Sequence, residues 1–331
     1  MKALRVLGGE RPQLEIADVP APAPGPREAL IRVNAAGLNR ADLLQALGRY
    51  APSPGASPTI LGIEFAGVVE QVGPSCSRAV VGQRVSGLAG GGAHAEYVVI
   101  PEVLLVDVPA SMGDVEAGAT PEVFITAHDA LVTQAGLRSS DTVLVHAAAS
   151  GVGLAALQLA ALAGCKAFGT VRTPHKISAV EDIAKERGIF PEPLICNGDI
   201  FDQAVLAGTN GTGVDVILDL VGAAYFQRNC SVLATLGRMV CVGTMSGATA
   251  SLDLGVLLQK RLRVYATVLR SRTLEEKAAA TAAFARNVLP QIASGRIGPV
   301  IDRTFTLEQA ADAYRYMAEN RNVGKIVLTM R

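Results

Sequence analysis

Thr142-Val-Leu-Val-His146-Ala-Ala-Ala-Ser150-Gly-Val-Gly153-Leu-Ala-Ala-Leu-Gln-Leu-Ala160 reads as a buried strand, a tight turn of small residues and a helix, in that order. Unpaired amides where that helix begins, at Gly151, Val152 and Gly153, aim positive dipole at an anion. Side chains no larger than alanine or serine let a phosphate come close to the backbone. A Gly-rich turn alone would equally suit an ordinary strand-to-helix connection. Here a second apolar strand, Lys166 to Val171, follows the helix and completes a β-α-β unit. In that context the turn is a dinucleotide pyrophosphate site.

The same alternation runs on through Lys176 to Arg187, Val214 to Leu218 and Arg238 to Val242, which predicts a parallel sheet with helices on both faces. Upstream the rhythm differs. Pro20, Pro22, Pro24, Gly25 and Pro26, then Pro52, Pro54, Gly55 and Pro58, separate short apolar runs such as Ala29 to Val33 and Ala66 to Val72. That punctuation predicts an irregular, strand-rich domain. Downstream, a strand-like run from Leu262 to Val268 precedes a helical stretch from Leu274 to about Ala293. A final helix, Thr306 to Glu319, begins with the capping-box pair Thr306 and Gln309 and leads into a closing strand, Lys325 to Leu328.

A chain of 331 residues, 50% of them apolar, can bury a large core and suits two domains with a ligand cleft. Its 30 basic and 30 acidic residues balance, which argues against a dedicated nucleic-acid or anionic-membrane binder and for a small-molecule partner. The longest nearly uninterrupted apolar stretch, Leu154 to Gly164, is about half of what crosses a bilayer. No apolar block with a cleavage site follows Lys2 and Arg5, so no secretory signal is expected. Cys76, Cys165, Cys196, Cys230 and Cys241 are odd in number and form no C-x-x-C pair. That argues against a disulfide framework and a compact metal knuckle and fits a reducing, cytoplasmic setting.

Cofactor choice turns on the end of the second strand, where an NAD site places an acidic residue for the ribose hydroxyls. The chain instead reads Gly169-Thr-Val-Arg172-Thr173-Pro-His-Lys176, and its first acids, Glu181 and Asp182, are already inside the next helix. Arg172 and Lys176, with Thr173 between them, offer donors to a 2′-phosphate, and a charge-assisted bond of that kind contributes about 1.5–3 kcal/mol. NADPH is therefore expected over NADH. The competing reading leaves both cations solvated at a helix start.

With Asn39-Arg-Ala-Asp42, Gly62-Ile-Glu-Phe-Ala-Gly67, Ala147-Ala-Ala-Ser-Gly-Val-Gly153 and Asn322-Val-Gly-Lys325 in order, the chain resembles the medium-chain dehydrogenase/reductase superfamily along its whole length. Within it the chain is similar to the zeta-crystallin-like, zinc-independent quinone oxidoreductases. The most specific segment is Gly37-Leu-Asn-Arg-Ala-Asp-Leu43 followed by Gly48-Arg-Tyr-Ala-Pro-Ser-Pro-Gly-Ala-Ser57. The resemblance implies an α/β fold: a GroES-like β-rich catalytic domain over residues 1–122, a Rossmann doubly wound parallel sheet over 123–264, and a return to the catalytic domain over 265–331. It also implies a homodimer formed through the Rossmann sheet edge, with the run Leu262 to Val268 as the edge strand.

The resemblance implies hydride or electron transfer from NADPH to a quinone or related conjugated carbonyl. Reduction of α,β-unsaturated aldehydes, ketones or enoyl thioesters is the alternative, and a non-catalytic NADPH-binding structural role is a further one. Asn39 and Tyr50 are the expected catalytic donors to the substrate oxygen; the plain alternatives are a turn amide and a half-buried aromatic. Asn39 and the Gly62-Ile63-Glu64 segment stand where zinc alcohol dehydrogenases carry a cysteine and a histidine ligand, and the segment after Pro74 has only Cys76, so no metal is expected.

Expected cofactor contacts by resemblance are Thr126, Ser150 at the middle position of the fingerprint, Asn197, Val221, Gly222, Gly243, Leu269, Arg270, Ser271, Arg321 and Asn322. Thr126 is also open to bonding its own helix backbone. Cys196-Asn197-Gly198 stands where many relatives carry a tyrosine. No histidine is assigned a catalytic role, and His146 reads as structural.

Overall fold

The structure, a computed structural model, describes residues 1–7, 13–53, 55–189 and 194–330; Pro54 of the Gly48–Ser57 segment lies outside them. Two compact units divide the chain. One comprises Met1–Ile125 with Arg270–Arg331, the other Thr126–Leu269. The sequence reading drew these divisions at 122/123 and 264/265.

The first unit opens with the antiparallel pair β1 (Lys2–Leu7) and β2 (Gln13–Asp18). The long strand β3 (Glu28–Gly37) pairs antiparallel with β4 (Glu64–Val72), and β4 with β5 (Arg84–Leu88). Then β6 (Tyr97–Pro101) joins the first half of β3, and β7 (Leu105–Asp107) joins β5. Leu4, Ile31, Leu61, Phe65, Val85 and Ile100 fill the core between them. β4 packs its backbone so closely on β3 that a Cβ on Gly67 would lie 2.1 Å from the Arg32 carbonyl oxygen, which accounts for the glycine.

The second unit is built on six parallel strands: β8 (Thr142–Val145), β9 (Lys166–Val171), β10 (Leu194–Asn197), β11 (Val214–Asp219), β12 (Leu233–Cys241) and β13 (Arg263–Ala266). Their order in the sheet is β10-β9-β8-β11-β12-β13. The chain winds outward from β8 to one side and then restarts at β11 toward the other, so the order reverses between β8 and β11. Ligands of doubly wound sheets bind outside the carboxyl ends of the strands at such a reversal. The helix Gly151–Leu162 follows β8, and Phe168, Phe201, Val214, Ile217 and Met239 pack the core on one face.

Returning to the first unit, the chain forms the helices Leu274–Asn287 and Leu289–Ala293, two elements where the sequence reading had one. Val288 breaks the helical run, and Pro290, lacking an N–H, starts the second piece in its first turn. β14 (Ile301–Thr306) then pairs parallel with β15 (Lys325–Thr329), and β15 pairs antiparallel with β3 through Val327↔Gly37. That last pairing sets Lys325 beside the residues that follow β3.

Candidate functional site

In the first unit four polar residues meet in the interior. Asn39 caps the helix Arg40–Ala46; its own N–H donates to Asp42 Oδ2 at 2.8 Å. The side-chain amide of Asn39 donates to Glu64 Oε1 at 2.9 Å and to the Gly37 carbonyl at 3.3 Å. Lys325 Nζ donates to Glu64 Oε1 at 2.5 Å, Asn39 Oδ1 at 2.7 Å and the Leu38 carbonyl at 2.7 Å. Glu64 Oε2 accepts from the Glu122 N–H at 2.8 Å. Asn39, Asp42, Glu64 and Lys325 are all buried. A Cβ on Gly37 would stand 2.3 Å from Glu64 Oε1, so glycine there makes room for the carboxylate.

Two consequences follow. The Asn39 amide, which the sequence reading aimed at a substrate oxygen, is engaged inside the protein at both its nitrogen and its oxygen. Asp42 lies beside this cluster with Oδ1 lacking a hydrogen-bond partner, and burial pushes its carboxyl up to about 7 against the pull of the Asn39 N–H and the Lys325 charge.

One turn further along the same helix, Gln45 is buried and its Oε1 accepts from Arg270 Nη2 at 2.9 Å. The Arg270 guanidinium lies 3.9 Å from the centre of the Tyr50 ring, a cation–π stack. Burial raises the Tyr50 hydroxyl above its ordinary value, opposed by the Arg270 charge, so it is a protonated donor at neutral pH. The sequence reading did not single out Gln45 and expected Arg270 to contact the cofactor; within the first unit Arg270 bonds Gln45 and stacks on Tyr50.

In the second unit the turn after β8 is built from small residues and leads straight into a helix. Ser150 caps the helix Gly151–Leu162, its Oγ accepting from the Gly153 N–H at 3.0 Å. The serine at the fingerprint's middle position thus supplies an acceptor that glycine lacks. A Cβ on Gly153 would meet the Ala147 carbonyl oxygen at 2.4 Å. Gly151 and Val152 head the helix, where amides have no intrahelical partner. Across the switch point, Asp219 at the end of β11 accepts from the N–H groups of Val221 at 2.7 Å and Gly222 at 3.1 Å. Gly222 adopts φ +87° with its Cα face close to Thr244 and Gly247, and a Cβ on Gly243 would crowd the Leu220 carbonyl.

A buried chain supports that loop. Asn229 Nδ2 donates to Asp219 Oδ2 at 3.2 Å, and His146 Nε2–H donates to Asn229 Oδ1 at 2.7 Å. Thr170 O–H then donates to His146 Nδ1 at 2.9 Å. Burial pulls His146 down to about 4, so the ring is neutral, as a structural histidine should be. His94 in the first unit is likewise neutral, pulled to about 4 by burial, between the Gly37 carbonyl and the Tyr314 hydroxyl.

At the end of β9, Arg172 is exposed, and the Thr173 Oγ1 is buried without a hydrogen-bond partner. Lys176 lies in the first turn of the helix His175–Glu186. Asn197 ends β10 and its Oδ1 accepts from the Asp199 N–H at 3.0 Å. Beside it, Tyr225 from the helix Ala223–Val232 reaches Gly198 so closely that a Cβ there would lie 1.8 Å from the tyrosine hydroxyl. A tyrosine therefore does stand by the third strand, delivered from another element.

Thr126 sits on the helix Pro121–His128 and Leu269 closes the second unit. Arg270, Ser271, Arg321 and Asn322 belong to the first unit. Arg321 stacks 4.7 Å from the Tyr316 ring, and Asn322 Nδ2 donates to the Gly324 carbonyl at 2.7 Å.

Zinc does not fit the Asn39–Glu64 cluster. Zinc takes thiolate, imidazole or carboxylate donors, and here the carboxylate and amide oxygens already converge on the Lys325 ammonium, whose charge would repel a metal cation. Among the described residues no group of three His, Cys, Asp or Glu side chains could hold a metal. The loop around Cys76 is fastened by other means: Glu102 accepts from the N–H groups of Ser77, Arg78 and Ala79 at 2.9, 2.7 and 3.2 Å. Burial pushes the Glu102 carboxyl up, but these amide bonds outweigh it and hold the group below its usual value.

Residues 25–110 match the family profile described as an alcohol dehydrogenase GroES-like domain, and residues 195–328 the one described as a zinc-binding dehydrogenase. A quinone oxidoreductase of Pseudomonas aeruginosa is 34% identical over 316 residues, covering 95% of each chain. The spectinabilin polyketide synthase system protein NorB of Streptomyces orinoci is 35% identical over 325 residues, and the present chain spans 14% of its length. Among solved structures, the Pseudomonas syringae pv. tomato DC3000 quinone oxidoreductase superimposes with a TM-score of 0.84 at 32% identity, covering 99% of both chains. The CurK enoyl reductase does so with 0.84 at 28% identity, also covering 99% of both. The chain therefore belongs to the medium-chain dehydrogenase/reductase superfamily and is homologous over its length to a quinone oxidoreductase.

Proposed function

We propose that the protein is an NADPH-dependent, zinc-independent oxidoreductase that reduces quinones. The observation that carries this reading is Lys325, an ammonium bonded to Glu64, Asn39 and Leu38, in the cluster whose Asn39 and Gly62–Glu64 positions the resemblance matches to the zinc ligands of zinc alcohol dehydrogenases. Substrate activation then falls to hydrogen-bond donors and to the electrophilicity of the acceptor, which quinones have in full. Homology to a quinone oxidoreductase of equal length supports the same choice.

When bound, the nicotinamide supplies the hydride. The chain's own part is to bind and orient. The amides of Gly151 and Val152 receive the pyrophosphate, Gly153 having given its own to the Ser150 cap; Asp219 fixes the loop Val221–Gly222 against the nucleotide, and Arg172, Thr173 and Lys176 receive the 2′-phosphate. Tyr50 holds its proton as a donor to the substrate. Replacing Arg172 and Lys176 together with alanine should reduce the preference for NADPH over NADH by about tenfold or more. An unchanged ratio of kcat/KM values would remove them from cofactor selection.

A second reading, reduction of α,β-unsaturated carbonyls or enoyl thioesters, is favoured by similarity to an enoyl reductase structure and to a polyketide synthase segment. Following NADPH oxidation with ortho-quinones, para-quinones, enals, enones and an enoyl thioester separates the two. Turnover confined to thioesters would overturn the quinone reading, and NADPH binding without any turnover would favour a non-catalytic binding protein.

We further propose a homodimer in the cytoplasm, paired along β13. That strand is the edge of its sheet, and Val264 within it and Val268 just after it are exposed. No described helix is long and apolar enough to cross a membrane. Light scattering on Val264→Lys should show a shift from dimer to monomer; a monomeric parent would refute the pairing.

A further inference from the structure

Gln45 Nε2 and Arg270 Nη1 are buried and have no hydrogen-bond partner. They belong to side chains already tied to each other through Arg270 Nη2 and Gln45 Oε1 at 2.9 Å, so the two unspent donors belong to one bonded pair. A buried donor left unpaired is unfavourable, and two together in a packed position call for an acceptor oxygen. The stack of Arg270 on Tyr50 fixes the guanidinium and brings a third donor, the Tyr50 hydroxyl, to the same neighbourhood. Asn39, by contrast, has no amide hydrogen to spare.

We infer that Arg270 and Gln45 are the groups that polarise the substrate carbonyl and hold the oxyanion formed on its reduction. The inference rests on the proposed reduction of a conjugated carbonyl and specifies its electrophilic machinery. Hydride adds to the acceptor and the displaced π pair collects on the carbonyl oxygen. Arg270 and Gln45 donate hydrogen bonds to that oxyanion, which takes a proton from water, and the nicotinamide is left oxidised. The charged groups around Arg270 are Asp42, Glu122 and Lys277. Asp42 stays protonated to about 7, which leaves the Arg270 charge available to the oxyanion on that side.

The test has one arm with turnover and one without. In the first, Arg270→Met should lower kcat for a para-quinone on the order of 10²-fold, and Gln45→Leu about tenfold, with the Kd for NADPH changed less than about twofold. Guanidinium ion should restore part of the rate to Arg270→Ala, which loss of packing alone would not allow, and Arg270→Lys should fall between. A raised NADPH Kd with kcat intact would return Arg270 to the cofactor and overturn the inference.

In the second arm, 4-nitrophenol serves as a stable oxyanion probe with NADP+ present. Its bound form should shift toward phenolate in the parent protein and lose that shift in Arg270→Met. If the parent fails to turn over any quinone but still ionises 4-nitrophenol through Arg270, the proposed substrate fails and the donor site stands. If it turns over quinones but does not ionise 4-nitrophenol, the donor site fails and the proposed function stands.

Discussion

Replacing Lys325 with methionine keeps the unbranched stem and removes the ammonium. Lys325 is 3% exposed and Glu64 fully buried, so water cannot take over the missing charge. Glu64 would keep two N–H donors, from Asn39 at 2.9 Å and Glu122 at 2.8 Å. Breaking a buried pair from one side costs about 3–5 kcal/mol, and the two surviving donors place this case near the lower figure. For a unit of this size that corresponds to a fall in Tm of about 6–12 °C.

Lys325→Met with Glu64→Gln strands no charge and should recover more than half of the loss. Scanning calorimetry on the full chain reads both. A single variant within about 1 kcal/mol of the parent, or a double variant no better than the single, would refute mutual compensation. Either result would reopen the cluster to a metal.

Other perturbations probe separate parts. Gly153→Ala drives a Cβ to within 2.4 Å of the Ala147 carbonyl oxygen, so it should cost about 1–3 kcal/mol and weaken NADPH binding tenfold or more; normal affinity by titration would show that the turn does not approach the nucleotide. Ser150→Ala removes the Gly153 cap and should cost about 1 kcal/mol, while Ser150→Gly should cost only a few tenths; equal losses in urea unfolding would contradict a capping role. The neutral His94 and His146 lie at about 4 when folded, so the unfolded chain takes up protons the native state refuses. Their contribution falls as pH falls from about 6.5 to 4. Asp42, raised to about 7, acts the other way and gains stability as pH falls through the same window. Asp42→Asn should therefore steepen the acid loss measured by urea midpoints, and an unchanged slope would place the Asp42 titration elsewhere.

The strand, turn and helix proposed to carry the nucleotide are legible in the sequence because they are local. Strand period, small turn residues and helix period sit within Thr142 to Ala160, and β8 and the helix after it fall where those periods put them. The supports were not legible. Lys325 meets Glu64 across 261 positions only because β15 lies on β3, a register that no local pattern encodes. The hydrogen-bond chain from Asp219 through Asn229 and His146 to Thr170 joins four elements in the same way. Asn39 was found as a motif residue, yet its engagement depended on partners contributed by β4 and β15. Gln45 carried one signal that could have found it. It stands three positions after Asp42 on one helix, which places the two on a shared face, but whether a polar pair there is buried depends on what packs over it.

The proposed function depends on the Lys325 ammonium, and no metal, standing at the first unit's Asn39–Glu64 cluster. Metal content and NADPH-dependent quinone turnover, measured on the same preparation before and after exhaustive chelation, address it directly. The account predicts substoichiometric zinc and an unchanged kcat. Loss of activity on chelation, restored by one zinc per chain, would contradict it.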